Sequence, residues 1–247
     1  MTNPPQVIAA TIRLADFCPI PNHSKRPFGK LPKRRYTLIV CEGTKTEPAY
    51  FQSIIQLLPR EMVEKIEVKP GGGTPDYLLK QAQAYIACRN QQRLPSFYFV
   101  WLVFDRDDFK HFTETINQVA ELNKHREANQ LSFPKHWDCA WSNEAFELWY
   151  ILHFQEQLGG SLSRKDYQDI LEKAIQTYTG DRDYRYQKND PDMFKRLYPL
   201  TSAAIERAER GFQKQCQLHG SDWALMNPAT RVFKLVRDLL AYLPSHK

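Results

Sequence analysis

Eight consecutive apolar residues, Phe97 to Phe104, run without a break into Asp105, Arg106, Asp107 and Asp108. A short apolar run that ends in charge reads as a strand of a parallel sheet, buried on both faces and finishing at an open edge. Tyr36 to Cys41 repeats the pattern, and Ile66 to Lys69 and Asp138 to Trp141 are shorter versions. Between these runs the apolar spacing becomes helical. Pro48 stands at a helix start, with Thr46 or Glu47 as cap, and Tyr50, Phe51, Ile54, Ile55, Leu57 and Leu58 continue it. Thr74-Pro75 opens a second helix through Leu78, Leu79, Ala82 and Ile86 to about Asn90. A third runs from Phe109 or Thr113 to Ala128, and a fourth from Ala145 to Phe154. Strands that alternate with helices predict an α/β fold, a parallel sheet of about four strands in the order 2-1-3-4, flanked by helices.

Beyond Leu158 the pattern is helical and more polar. Arg164 to Tyr178, Asp190 to Leu197, Ser202 to Cys216 and Pro228 to Leu243 are the predicted helices. Between the first two lies a stretch crowded with charge and tyrosine, Thr179 to Asp190. The expected organisation is a proline-rich basic arm over residues 1–35, an α/β domain over 36–158, and a helical C-terminal region over 159–247 packed on the sheet.

Composition narrows the function classes. At 42% hydrophobic residues the chain is a folded protein, not a disordered one. Its longest apolar run falls far short of the roughly 20 residues that span a bilayer, and no leader pattern opens it, which predicts a cytoplasmic protein without a membrane partner. The five cysteines are odd in number and widely spaced, as reduced structural thiols are. A net charge of +6 tilts toward a polyanionic partner. Much of the excess sits in the second half of the arm, His23 to Arg35, where Lys25, Arg26, Lys30, Lys33, Arg34 and Arg35 occur with no acid, either as a solvated tail or as phosphate contacts to nucleic acid.

The candidate chemistry lies at the strand ends, where α/β sheets bind their ligands. Asp105 and Asp107 alternate out of the third strand, so both carboxylates leave on one side. Like charges so placed need a cation or a proton between them, and hard oxygen ligands suit Mg²⁺ or Mn²⁺. Asp108 reads as a helix cap. Glu42, after the adjacent first strand, is a third metal ligand or a general base, and Glu144 or Glu147, after the fourth, is a further acid. Around Gly43, Thr44, Lys45 and Thr46 the phosphate-loop pattern GxxxxGK[ST] is not met, although Lys45 can still contact a phosphate. Gly71, Gly72 and Gly73 read as a connector in preference to an anion-binding loop. No GxSxG is present and no Ser/His/Asp arrangement is evident, so the expected nucleophile is an activated water.

Several stretches together resemble one family. LIVCEGTKTEPAYF at 38–51, VFDRDDF at 103–109, SNEAFELWYILHF at 142–154, the Tyr186-Gln187-Lys188 segment and NPATRVFKLV at 227–236 are similar to RloB-like proteins. More broadly, a glutamate after the first strand and Asp-x-Asp after the third look like the Toprim fold. The resemblance implies a Toprim-like, Mg²⁺- or Mn²⁺-dependent nuclease acting on DNA or RNA in anti-phage defence. Glu42, Asp105 and Asp107 would be its metal ligands, with Glu144, Glu147 and Lys188 as further catalytic residues. It also implies an AAA-type ATPase as partner. At Glu144 and Ala145 the chain departs from the family's usual SNP-x-FELW form, which leaves the functional acid open between Glu144 and Glu147. The alternatives are a catalytically silent module that binds nucleic acid or the ATPase, and a phosphoryl-transfer enzyme acting on nucleotides; oligomeric state stays open.

Overall fold

The computed structural model describes residues 35–106, 111–124, 134–156 and 162–243. Among them five strands form one sheet in the order β2-β1-β3-β4-β5. β1 (Thr37–Cys41), β2 (Ile66–Pro70), β3 (Phe99–Asp105) and β4 (His136–Asn143) are parallel and keep the expected order. β5 (Ala229–Thr230) is an addition, antiparallel to β4. The sheet is therefore mixed at one edge instead of wholly parallel.

That addition corrects the expected helix from Pro228 and explains why β4 reaches as far as Asn143. Ser142 and Asn143 find ladder partners in Thr230 and Ala229. The Ser142 and Thr230 hydroxyls lie 2.9 Å apart, and Asn143 Nδ2 donates to the Met226 carbonyl at 2.8 Å. Asn143 is thus a strand residue tied to the C-terminal segment and not a helix cap.

The helices are α1 (Thr46–Gln56), α2 (Arg60–Val63), α3 (Pro75–Gln91), α4 (Phe112–Lys124), α5 (Glu147–Ile151), α6 (Arg164–Thr179), α7 (Met193–Leu197), α8 (Thr201–His219) and α9 (Val232–Leu240). Among the described residues no helix is long and apolar enough to cross a membrane. α5 is shorter than its apolar stretch predicts, because the chain tightens after Ile151: the Phe154 amide bonds back to the Ile151 carbonyl at 2.9 Å. Ala145 to His153 are buried throughout, which suits a central helix with no polar face.

Alternate strand residues serve opposite layers. Ile39, Cys41, Trp101, Val103 and Ala140 pack into one core with side chains of α1 and α5 to α9. Leu38, Val40, Val100, Leu102, Phe104, Cys139 and Trp141 pack into another with α3 and α4. Burying one such large side chain stabilises by about 1.5–3 kcal/mol, so a one-residue slip, which would exchange the two sets, is excluded. Hydrogen bonding supplements the first core: the Trp149 indole donates to the Tyr50 hydroxyl at 2.8 Å.

The C-terminal region is also held by charge. Arg231, just after β5, donates from Nη1 to Asp138 Oδ1 at 2.8 Å, and Lys234 Nζ lies 3.1 Å from Asp138 Oδ2. The Arg231 side chain is 6% exposed and lies 4.3 Å from the Trp223 ring centroid. Arg231→Ala should lower stability by about 2–4 kcal/mol, from a broken buried pair and a lost stacking contact. Urea unfolding measures this; a loss within about 0.5 kcal/mol, as at an ordinary surface site, would show the pair to be dispensable.

Candidate functional site

β1 and β3 end side by side, and their ends place two acids together. The Glu42 amide bonds to the Val103 carbonyl at 2.8 Å, which extends the ladder by one residue, and its own carbonyl accepts from Gly72 at 3.1 Å. Held at both backbone groups, Glu42 turns its side chain across to β3, where Oε2 accepts the Asp105 amide at 2.9 Å. Asp105 is the last residue of β3. Its side chain is only 12% exposed, and its Oδ2 accepts from Arg164 Nη2 at 2.9 Å.

Two further carboxylates complete the cluster. Glu47 sits in the first turn of α1 and is buried. Its carboxylate covers Gly43 so closely that a Cβ at that glycine would stand 1.7 Å from Glu47 Oε2. A side chain at Gly43 would therefore have to displace the Glu47 carboxylate, while the backbone there does not itself demand glycine. Glu147, the first residue of α5, is 3% exposed. Its Oε1 accepts from the Tyr186 hydroxyl at 3.2 Å, with Gln168 Nε2 at 3.5 Å.

These acids act on one another electrostatically. Burial pushes Asp105 well above the usual carboxylate range, and Glu47, Glu42 and Glu147 add to the shift while Arg164 opposes it. Glu47 is raised first by burial, with Lys188 and Arg164 pulling it down and Glu147 pushing it up. Burial and the Glu147 charge likewise raise Tyr186. Burial and mutual repulsion thus outweigh the neighbouring cations, and both Asp105 and Glu47 hold their protons more tightly than free carboxylates do.

Glu42 and Asp105 meet through a hydrogen bond, Glu147 acts on Asp105 through its charge alone, and exposed Lys188 lies in the field of Glu47. Thr46 Oγ1 donates to the Lys188 carbonyl at 2.6 Å, which fastens the tyrosine-rich loop to the start of α1. Glu144 is half-buried, and its charge acts on the Tyr167 hydroxyl. Lys45 is exposed just before α1. Arg35 lies at the opposite, amino edge of the strands, its guanidinium 3.5 Å from the Tyr98 ring centroid. Asp107, Lys25, Arg26, Lys33 and Arg34 lie outside the described residues. At the glycine loop, Thr74 Oγ1 donates to Asp76, so the start of α3 already carries its own carboxylate, in keeping with a connector.

Glu47, Arg164 and Tyr186 are additions to the sequence reading. Glu47 had a legible signal, since it stands one turn before Tyr50 and Phe51 on the apolar stripe of α1, where a charge has to be explained. Arg164 had none, being an ordinary basic residue at a helix start. Tyr186 was conspicuous only as part of a family-like segment.

The donor chemistry suits a hard divalent ion. Among the described residues no three of His, Cys, Asp or Glu are gathered to cage a metal. Mg²⁺ does not require a cage, since it is commonly held by one or two carboxylates plus water and substrate phosphate. Glu42 and Asp105, neighbours at the sheet edge, fit that requirement.

A family model described as RloB-like protein matches residues 37–239. Comparison with curated proteins and with solved structures finds no match.

In metal-free buffer, Glu47→Gln should be more stable than wild type near neutral pH. The folded state holds the Glu47 proton more tightly than the unfolded chain, so wild-type stability declines as pH rises from the ordinary carboxylate range through the raised value. The advantage of the variant should shrink as pH falls below about 4, the ordinary glutamate value, where the unfolded chain becomes protonated as well. Thermal melts across pH test this, and a pH-independent difference would assign the effect to packing.

Proposed function

The chain belongs to the RloB-like family, and on that premise we propose that it is a Mg²⁺- or Mn²⁺-dependent nuclease that hydrolyses phosphodiester bonds of DNA or RNA in anti-phage defence. The observation that carries this reading is a set of carboxylates at the carboxyl edge of a parallel sheet, half-buried Glu42 and Asp105 and buried Glu47 and Glu147, which act on Asp105 through their charges, with Arg164 and Lys188 in the same field. A pure binding surface for a polyanion would present cations and avoid buried acids. Acids beside cations serve a reaction in which one set handles metal and protons and the other the phosphate.

Glu42 and Asp105 would hold the metal, together with Asp107. Bound there, a divalent ion supplies a polarised phosphoryl oxygen and a water of lowered pKa. The chain's own groups account for the remaining chemistry. Glu47, with its raised proton affinity, is suited to take a proton near neutral pH and return it to the leaving oxygen. Lys188, exposed on a loop tied to α1, can balance the developing charge on the phosphate, and Lys45 stands close in sequence to the same tie. Glu147 is engaged by Tyr186 and Gln168, so it orients the tyrosine-rich loop against α5 and α6.

The contact of Arg164 with Asp105 favours a second reading, in which the fold binds nucleic acid or a partner ATPase without cleaving. One set of assays separates the two. Purified protein incubated with double-stranded DNA, single-stranded DNA and structured RNA should degrade at least one of them when Mg²⁺ or Mn²⁺ is added. Asp105→Asn and Glu42→Gln should each lower the rate by about 100-fold or more, the scale of losing a catalytic electrostatic group. Undiminished cleavage by Asp105→Asn would refute the nuclease assignment, and salt-sensitive binding without cleavage under either metal would favour the second reading.

A further inference from the structure

Arg164 is fixed in place more firmly than its position on a helix surface requires. Ser163 and Asp166 form a reciprocal capping box around it: the Ser163 amide donates to Asp166 Oδ2 at 2.8 Å, and the Asp166 amide to Ser163 Oγ at 3.3 Å. One turn later, buried Tyr167 directs its hydroxyl to the Asn143 carbonyl at the end of β4, at 3.4 Å. The start of α6 is thus tied to the sheet edge, and the guanidinium reaches the end of β3 from a set origin. There Nη2 meets Asp105 Oδ2 at 2.9 Å, with the arginine side chain 35% exposed and the aspartate 12%.

The pair has a consequence for metal binding, on the reading that Asp105 is a ligand. An oxygen that accepts a charge-assisted hydrogen bond has fewer electrons to offer a divalent ion. Two cations within a few ångströms, in a region largely shielded from water, also repel each other far more than they would in solvent. Arg164 and a metal therefore compete for the same carboxylate. We propose that Arg164 is the resident counterion of Asp105 and that a divalent metal binds only by displacing it, so that Arg164 sets the metal affinity of the site. The arrangement keeps a buried aspartate paired whichever cation is present, at a cost in affinity.

The test measures Mn²⁺ binding by the full-length protein, by calorimetry or by loss of the free-ion spin-resonance signal, with Asp105→Asn defining the site. Arg164→Gln should bind Mn²⁺ about tenfold more tightly than wild type, the scale of one charge-assisted hydrogen bond. Arg164→Lys keeps the charge and should stay within about threefold of wild type. A second measurement follows the wild-type Arg164 guanidinium by ¹⁵N resonance while Mg²⁺ is added, and its signal should shift as the ion binds. Asp105-dependent binding of equal strength in wild type and Arg164→Gln, or a lysine variant as tight as the glutamine one, would overturn the role of Arg164 and leave the metal reading intact. An unmoved guanidinium signal on saturation would do the same. Absence of Asp105-dependent binding in every variant would overturn both.

Discussion

A carboxylate that leaves water has to be compensated, and the architecture around the end of β3 follows from that requirement. Asp105 closes a strand whose residues Val100 to Phe104 are buried, so its side chain emerges under the layer formed by α1, α5 and α6 and is largely withdrawn from solvent. Arg164 answers it with a hydrogen-bonded ion pair, and the Asp105 amide in turn engages Glu42. Glu47 and Glu147 increase the demand for positive charge, which makes the site acceptor-rich and short of cations. Such a site is a poor contributor to stability, as buried charges commonly are, and a suitable one for binding cations and moving protons.

The groups that compensate these acids come from far along the chain. Arg164 stands on α6, and Tyr186 and Lys188 on the loop that follows it. Their placement depends on how the C-terminal region meets the sheet. β5 pairs with the end of β4, Arg231 and Lys234 meet at Asp138, and Asn143 holds the Met226 carbonyl. These contacts make the helical region part of the site and not a separate appendage. Thr46, bonded to the Lys188 carbonyl, closes the connection from the other side, at the start of α1.

Strand runs and the acids after them were legible because they rest on local pattern. Apolar stretches of the right length, separated by helical periods, imply a doubly covered parallel sheet, and such a sheet brings the ends of neighbouring strands together. Glu42 and Asp105 follow from that rule without knowledge of any contact. The antiparallel β5 was not legible, since two residues after a proline carry no strand signal and acquire one only when Ser142 and Asn143 offer them a ladder. The role of Asn143 was hidden for the same reason: its side chain could cap a helix or brace a strand, and a partner more than eighty residues away decided between them.

By itself, then, the sequence determined the class of fold, the positions of four strands and the acids at their carboxyl ends, because periodicity and strand termini are local properties. Only the tertiary structure decided that Glu147 faces Tyr186 and that Arg164 meets Asp105. Each of these depends on which surfaces meet when separate helices close over the sheet edge. A charged residue at a helix start looks the same in the sequence whether it faces water or a buried aspartate, since burial is a property of the assembled layers.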